Sequence, residues 1–483
     1  MNLNLELLAQ FWWIWLLLFA LATTFILKKT GKAQTYYLIS MLKTKRFLPI
    51  LEKFKKHKRF LNIFADLGLL LGFGAIAVDW KYGKGKSRQK RIALFLASMA
   101  LFYLVLEGLT LIFPLFNTFF TNPFIKSYAW LMRLGFMVFG LSGLMLAVLA
   151  GYAVFVLQSI FAGKQVCPGV APIIPGVQLP NVPFVVPVHA WLSFLIILVI
   201  HEGMHGILMR KAGAKVKSAG VLLFGLLPIG AFVEPDEKEL AKKKEIEQLR
   251  VFSAGPSANL YASLALTVLL SLFIAFVANP VWGPWVQEVK TNSIDAVLVD
   301  EVNESIELCG EKYENPAFEV LKPGMRIKKI GKIGIISGEG VSIAVSQAVS
   351  KYDRRPIEMS LVDLNGNDFN TTIIPNELGV ISFSVREEMN PNYTIPQEYK
   401  TFTSLSGFSS NFLFWLILLN FFIAFGNFLP LDPLDGGKIT KILLRPYFGF
   451  MKMNKKETEK LIGRLTLWVV GILLLINVLP MFL

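Results

Sequence analysis

Two of the chain's four histidines fall within five residues, in His201-Glu202-Gly203-Met204-His205. On a helix, residues four apart share a face at roughly 5–6 Å between Cβ atoms, so the two imidazoles can converge on one ion. Zn2+ takes such a pair readily; a catalytic site adds one more protein ligand and leaves the fourth position for water. Glu202, next to the first histidine, can take a proton from that water, whose pKa the metal lowers to about 7. The bland reading is a chance match whose histidines are merely satisfied helix residues. The setting argues against it, because the motif closes the apolar run Val185–Arg210, and ionisable groups inside such a run are costly and usually functional.

A third ligand has to come from elsewhere. A later apolar run ends in Asn427-Phe428-Leu429-Pro430-Leu431-Asp432-Pro433-Leu434-Asp435-Gly436-Gly437. Pro430 and Pro433 interrupt the helix, and Gly436 and Gly437 let the backbone turn and bring a carboxylate close to the metal. The competing reading is a proline-rich helix exit in which Asp435 only caps the next helix.

The elements that must carry these residues follow from composition. The apolar fraction is 54% and the charged fraction 17%, against roughly 45–50% and 25% in globular proteins. The excess clusters into runs near the ~20 residues that cross a bilayer. Eight runs qualify: Leu8–Leu27, Ile63–Asp79, Ile92–Phe116, Ala129–Phe161, Val185–Arg210, Val251–Ala278, Phe408–Phe428 and Leu465–Leu483. Ile63–Asp79 is the weakest, being short, glycine-containing and flanked by acids. The net charge of +15 sits in short blocks beside these runs, the pattern of membrane-flanking lysine and arginine with anionic headgroups as partners, and no nucleic-acid motif accompanies it. Ala219–Val233 is apolar but short and broken by glycine and proline, which suits a re-entrant hairpin. About Gln287–Thr401 is polar with alternating runs at Ala296–Val302, Arg326–Ile330 and Ile357–Leu364, expected to form a soluble β-rich domain, with Asn365-Gly366 as a hairpin turn.

The expected organisation is a polytopic α-helical membrane protein of about eight spans with a membrane-embedded β-hairpin and an inserted soluble β-rich domain. Its parts are an N-terminal membrane region (1–162), the first part of a membrane core (163–280), the soluble insert (281–402) and the rest of the core (403–483). Basic loops Lys28–Arg59, Lys238–Arg250 and Lys438–Arg464 then share one face, cytoplasmic by the positive-inside rule, with the insert opposite. The block Lys81–Arg91 disagrees, so either Ile63–Asp79 does not cross or the block is an exception. Phe47–Phe60 reads equally as an amphipathic helix on anionic lipid or as a solvated loop. Cys167 and Cys309 allow at most one disulfide, between the proline-rich loop and the insert, and the sequence leaves the pairing open.

The chain resembles the site-2 protease family of intramembrane zinc metalloproteases. The resemblance rests on His201-Glu202-x-x-His205 inside a span, Asn427-x-x-Pro430 to Leu434-Asp435-Gly436 in a later one, Ala254-Gly255-Pro256-Ser257-Ala258-Asn259 opening the sixth span, and the glycine-rich Gly220–Val233. It implies a zinc ion held by His201, His205 and Asp435, Glu202 as general base, and Asn427 as a catalytic residue steadying the oxyanion or substrate backbone. Asp432 stands where the family has an apolar filler and is the second choice for the carboxylate ligand. Gly220 and Gly230 of the hairpin, with Asn259, are the substrate-binding positions it suggests, although Asn259 also reads as helix-packing glue. The run Asn315–Ile330 is similar to the core of a PDZ domain, which implies docking of a substrate tail; a β module that only packs on the membrane part is the alternative. The expected activity is hydrolysis of peptide bonds in or near transmembrane segments of other membrane proteins, in the cell membrane. Two other readings remain: a zinc protease of the prenyl-protein-processing kind, whose third ligand is a glutamate, and a catalytically silent metal-binding transporter.

Overall fold

The computed structural model describes residues 12–483 except 31–32, 37, 47, 113–126, 226, 350–354 and 378. Residues 8–11 and 113–116 of two expected spans therefore lie outside the described residues. Helix α1 (Trp12–Lys29) leads to strands β1 (Gln34–Tyr36) and β2 (Ile39–Thr44), a short helix Leu48–Phe54, and helices α2 (Lys58–Tyr82), α3 (Arg88–Ile112) and α4 (Ala129–Phe161). Then come α5 (Ala190–Lys211), the hairpin β3 (Val216–Phe224) and β4 (Leu227–Pro235), α6 (Glu245–Phe273) and α7 (Asn279–Ser293). After the soluble insert the chain closes with α8 (Gln397–Phe428), α9 (Asp435–Leu444) and α10 (Lys455–Val478). Among the described residues seven helices are long and apolar enough to cross a membrane, α6 and α7 counting as one continuous helix.

Two of those seven do not run straight, which corrects the expected straight spans at Ile63–Asp79 and Ala129–Phe161. α2 breaks at Gly74 (φ 54°, ψ −141°) and α4 at Gly140 (φ 56°, ψ −142°). This backbone region is open to glycine and strained for other residues. The break in α2 is a reversal, because Lys81 Nζ lies 2.8 Å from Asp66 Oδ2, whereas fifteen residues of straight helix would separate them by roughly 22 Å. α4 reverses likewise, bringing Tyr128 against Gly151 and Gly135 against Gly143 and Ala147. The two tips touch: a Cβ on Gly74 would sit 2.6 Å from the Gly140 nitrogen. Phe73 of the α2 tip packs edge-on against Phe428 at 6.2 Å between centroids, at the end of α8.

Small and polar residues let α6 approach its neighbours closely, as expected of helices packed without a hydrophobic driving force. Ser253 Oγ donates to the Ala65 carbonyl at 3.1 Å and Ser263 Oγ to the Ile417 carbonyl at 3.0 Å. Beside Ser253, Arg250 grips both oxygens of Asp66 at 2.8 Å. At the same end of the bundle Arg91 and Tyr447 hold Asp79, and Arg445 pairs with Glu245 and Glu459. α2, the starts of α3, α6 and α10, and the segment following α9 are thus joined by charge and hydrogen bonds.

The expected hairpin is present, within a larger sheet. Its strands belong to an antiparallel sheet in the order β1-β2-β3-β4, with Lys43 of β2 opposite Gly220 of β3. β4 is consequently an edge and β3 is not.

The insert is β-rich as expected. Strands β5 (Ile294–Val299), β6 (Ser305–Leu308), β7 (Glu311–Glu314), β8 (Arg326–Ile330), β9 (Ile333–Gly334), β10 (Ile357–Val362), β11 (Asp368–Ile373) and β12 (Val385–Met389) accompany a helix at Gly338–Val349. The main sheet runs β11-β10-β8-β5-β12, with β9 paired to β8 and the hairpin β6–β7 apart. Alternation places Val297 and Val299, and Met359 and Leu361, in its core, and the register shift between β8 and β10 brings both Ile327 and Ile330 to the same side. The Asn365-Gly366 turn joins β10 to β11, with Gly366 at φ +85° and Asp363 Oδ1 accepting the Asn365 and Asn367 amides at 2.8 Å. Cys167 and Cys309 are disulfide-bonded, with Cα atoms 5.0 Å apart, tying the β6–β7 turn to the segment after α4. That segment also meets the end of α10, where the Asn181 amide donates to the Pro480 carbonyl at 2.8 Å.

Candidate metal centre

α5 is apolar up to its motif, and its period of 3.6 residues sets His201 above His205 on one face. The two Nε2 atoms are 3.2 Å apart. Asp435 comes to them from the far side of the bundle because α8 ends at Phe428 and α9 begins at Asp435. Pro430 and Pro433 forbid helix between them, and Gly436 and Gly437 let the loop fold against itself: a Cβ on Gly437 would fall 2.6 Å from the Asp432 nitrogen. Asp435 Oδ2 then lies 2.9 Å from His205 Nε2 and 3.3 Å from His201 Nε2.

These three atoms fit a zinc ion. Tetrahedral ligands at ~2.0–2.1 Å define edges of about 3.3 Å, and the donor atoms here stand 2.9–3.3 Å apart. The donor set is two imidazoles and a carboxylate, all converging, with His201 5% and Asp435 8% exposed.

α6 makes the room. Gly255 faces both imidazoles, and a Cβ there would stand 2.5 Å from His201 Nε2 and in contact with His205 Nε2. One turn before it, the Val251 carbonyl lies 2.7 Å from His205 Nδ1. One turn after it, the Asn259 amide lies 3.1 Å from His201 Nδ1. Asn259 is fully buried, and its amide touches a candidate metal ligand, a contact that the helix-packing and substrate-binding expectations did not include. Val251, Gly255 and Asn259 recur every four residues, a stripe visible in the sequence whose meaning needs the partner helix.

Glu202 points toward the sheet, where its Oε2 accepts the Val233 N–H of β4 at 3.1 Å. That amide faces away from β3, and by the period of two so do the amide and carbonyl of Ala231, while the register shift that leaves Ile229 unpaired ends the alternation beyond Gly230. Gly230 turns its backbone inward to the ladder opposite Leu222. Gly220, on the inner strand, would drive a Cβ 2.6 Å from the Phe232 ring. The two glycines serve close packing within the sheet, and the open edge belongs to Ala231, beside Gly230.

Asp432, the second choice of ligand, pairs with Lys441 on the surface and stands outside the cluster. Asn427 is not brought to the cluster by its amide, which donates to the Ile423 carbonyl of its own helix at 3.0 Å.

A buried His-His-Asp cluster, with both histidines on a membrane-length helix and the carboxylate at the start of the short α9, defines a class of membrane protein with a metalloprotease-type centre. Residues 189–475, more than half of the chain, match Peptidase family M50, and the chain belongs to that family. The family comprises intramembrane zinc metalloproteases of the site-2 protease type. The chain is also similar to an uncharacterized protein of Methanocaldococcus jannaschii, 28% identical over 246 residues, which is 51% of this chain and 54% of that protein. The match thus spans about half the length of the curated relative.

Proposed function

We propose that the chain is a zinc-dependent endopeptidase that cleaves peptide bonds in or near transmembrane segments of other membrane proteins. The observation that carries this reading is the spacing of His201, His205 and Asp435, together with Glu202 held between that cluster and a free strand edge. A zinc ion held there supplies Lewis acidity to the scissile carbonyl and brings a water pKa down to about 7. Glu202 takes the water's proton and passes it to the departing amine. A substrate helix has its amides paired internally and must unwind to be cut, and the outward amide and carbonyl of Ala231 can pair with such an unwound strand.

Chain topology supports the reading. With α2 and α4 folded back, the other five long apolar helices cross, α1 makes a sixth crossing, and Lys81–Arg91 falls on the same face as the other basic loops, in keeping with the positive-inside rule. The disulfide, the insert and the end of α10 share the opposite, exterior face of a cell membrane. The insert reads as PDZ-like: a groove of about 300 Å³ lies between the Val341, Val345 and Val349 face of its helix and the segment Val380, Ile381 and Phe383, suited to a substrate tail added in extended form. Regulated cleavage, in which a prior cut shortens the exterior part of the substrate, fits a docking domain on that face. Exposed Ile50, Phe54 and Phe60 beside basic residues suit contact with anionic lipid.

The test is cleavage of a transmembrane substrate by the purified full chain in lipid. Glu202→Gln is expected to keep zinc and lose turnover by at least 100-fold, within the range for a general base; turnover retained by that variant removes Glu202 from the mechanism.

A further inference from the structure

The Nε2 atoms of both histidines converge with Asp435, so on the zinc reading each ring ligates through Nε2. A neutral imidazole that does so carries its proton on Nδ1, and that Nδ1 has to donate. For His205 the partner is suitable, since the Val251 carbonyl 2.7 Å away can only accept. For His201 it is not: Asn259 presents Nδ2, a donor, at 3.1 Å. At the same time Asn259 Oδ1 is buried without a hydrogen-bond partner, in a side chain with no exposed surface. An acceptor left bare in the interior forfeits its hydration with nothing in return.

The two ends of a carboxamide are alike in shape, so a half-turn about its last torsion costs no packing. We infer that Asn259 meets His201 through Oδ1, accepting Nδ1–H, and is the positioning residue that fixes the ligating tautomer and ring plane of His201. α6 then acts as a template for both ligands. Val251 sets the tautomer of His205, Asn259 sets that of His201, and Gly255 midway between them leaves the space the ion needs. Partners of this kind orient ligand rings and are commonly worth 10–100-fold in metal affinity. The inference rests on the zinc reading above.

The experiment measures zinc affinity of the purified full chain by chelator competition, with the visible spectrum of the cobalt-loaded protein as a second readout. Asn259→Asp keeps an acceptor and loses the donors, and is expected to bind zinc within about threefold of the unaltered chain. Asn259→Leu keeps the volume and loses the acceptor; it is expected to weaken binding 10–100-fold and to shift the cobalt bands, with the metal-free unfolding midpoint little changed. Loss of binding in Asn259→Asp overturns the inference, because it shows that the donor is what His201 needs; so does unaltered affinity in Asn259→Leu. An unaltered chain that takes up no metal defeats the zinc reading itself, a result distinct from both.

Discussion

Glu202 and Val233 are joined across two elements: the carboxylate on α5 accepts the backbone N–H of the edge strand β4 at 3.1 Å. The residue expected to move protons is therefore tethered to the strand expected to hold substrate, and two residues back along that strand Ala231 turns its own amide to the open edge. Ala231→Pro removes that amide and blocks strand addition while sparing the ladder to β3, since proline is tolerated where the N–H faces outward. Cleavage is expected to fall at least tenfold with zinc content unchanged, measured on the same purified protein. Undiminished cleavage means that substrate does not pair with β4.

Gly255 has a different role. Its missing side chain is the space beside both Nε2 atoms, while its helix would gain roughly 0.5–1 kcal/mol from alanine. Gly255→Ala is expected to displace the two rings while the chain still folds, and to weaken zinc binding more than tenfold by chelator competition. Equal affinity would show that the ion sits elsewhere.

The reversal at Gly140 depends on contact as well as on backbone angle. Gly140→Ala meets the Leu71 carbonyl oxygen at 2.2 Å and the Gly74 nitrogen at 2.7 Å, beyond the roughly 1–3 kcal/mol of backbone strain that a side chain meets at such φ and ψ. Gly163→Ala is the control, since Gly163 has φ +69° but open space around it. Thermal unfolding in detergent is expected to show a clearly larger loss for Gly140→Ala than for Gly163→Ala; equal losses would deny the tip-to-tip contact.

Sidedness follows from the fold-back of α2. Single cysteines at Lys45 and Lys86 are expected to react with an impermeant reagent from the same membrane face, and one at Lys312 from the other. Labelling of Lys45 and Lys86 from opposite faces would mean that α2 crosses.

The site was largely legible because its ligands are rare residue types at fixed spacing: His201 and His205 needed only helical geometry, and Asp435 announced itself through the prolines and glycines around it. Asp432 could be set aside only once Lys441 was seen to hold it. The role of Asn259 was not legible, since an asparagine in an apolar run reads as packing until the ring it meets is known. Hydropathy likewise marked α2 and α4 as spans. A glycine that reverses a helix looks the same in sequence as one that packs, and the pairing of Asp66 with Lys81 is a long-range fact. The turn at Asn365-Gly366 was readable because its signal is local, whereas the pairing of β2 with β3 joins segments almost two hundred residues apart.

The proposed chemistry requires an ion held by two rings on α5 and a carboxylate delivered at the start of α9. Elemental analysis of the purified full chain, alongside Asp435→Ala and Asp432→Ala, tests it most directly. About one zinc per chain is expected in the unaltered protein and in Asp432→Ala, and far less in Asp435→Ala. Full zinc retention by Asp435→Ala, as a glutamate-ligated site would give, contradicts the account.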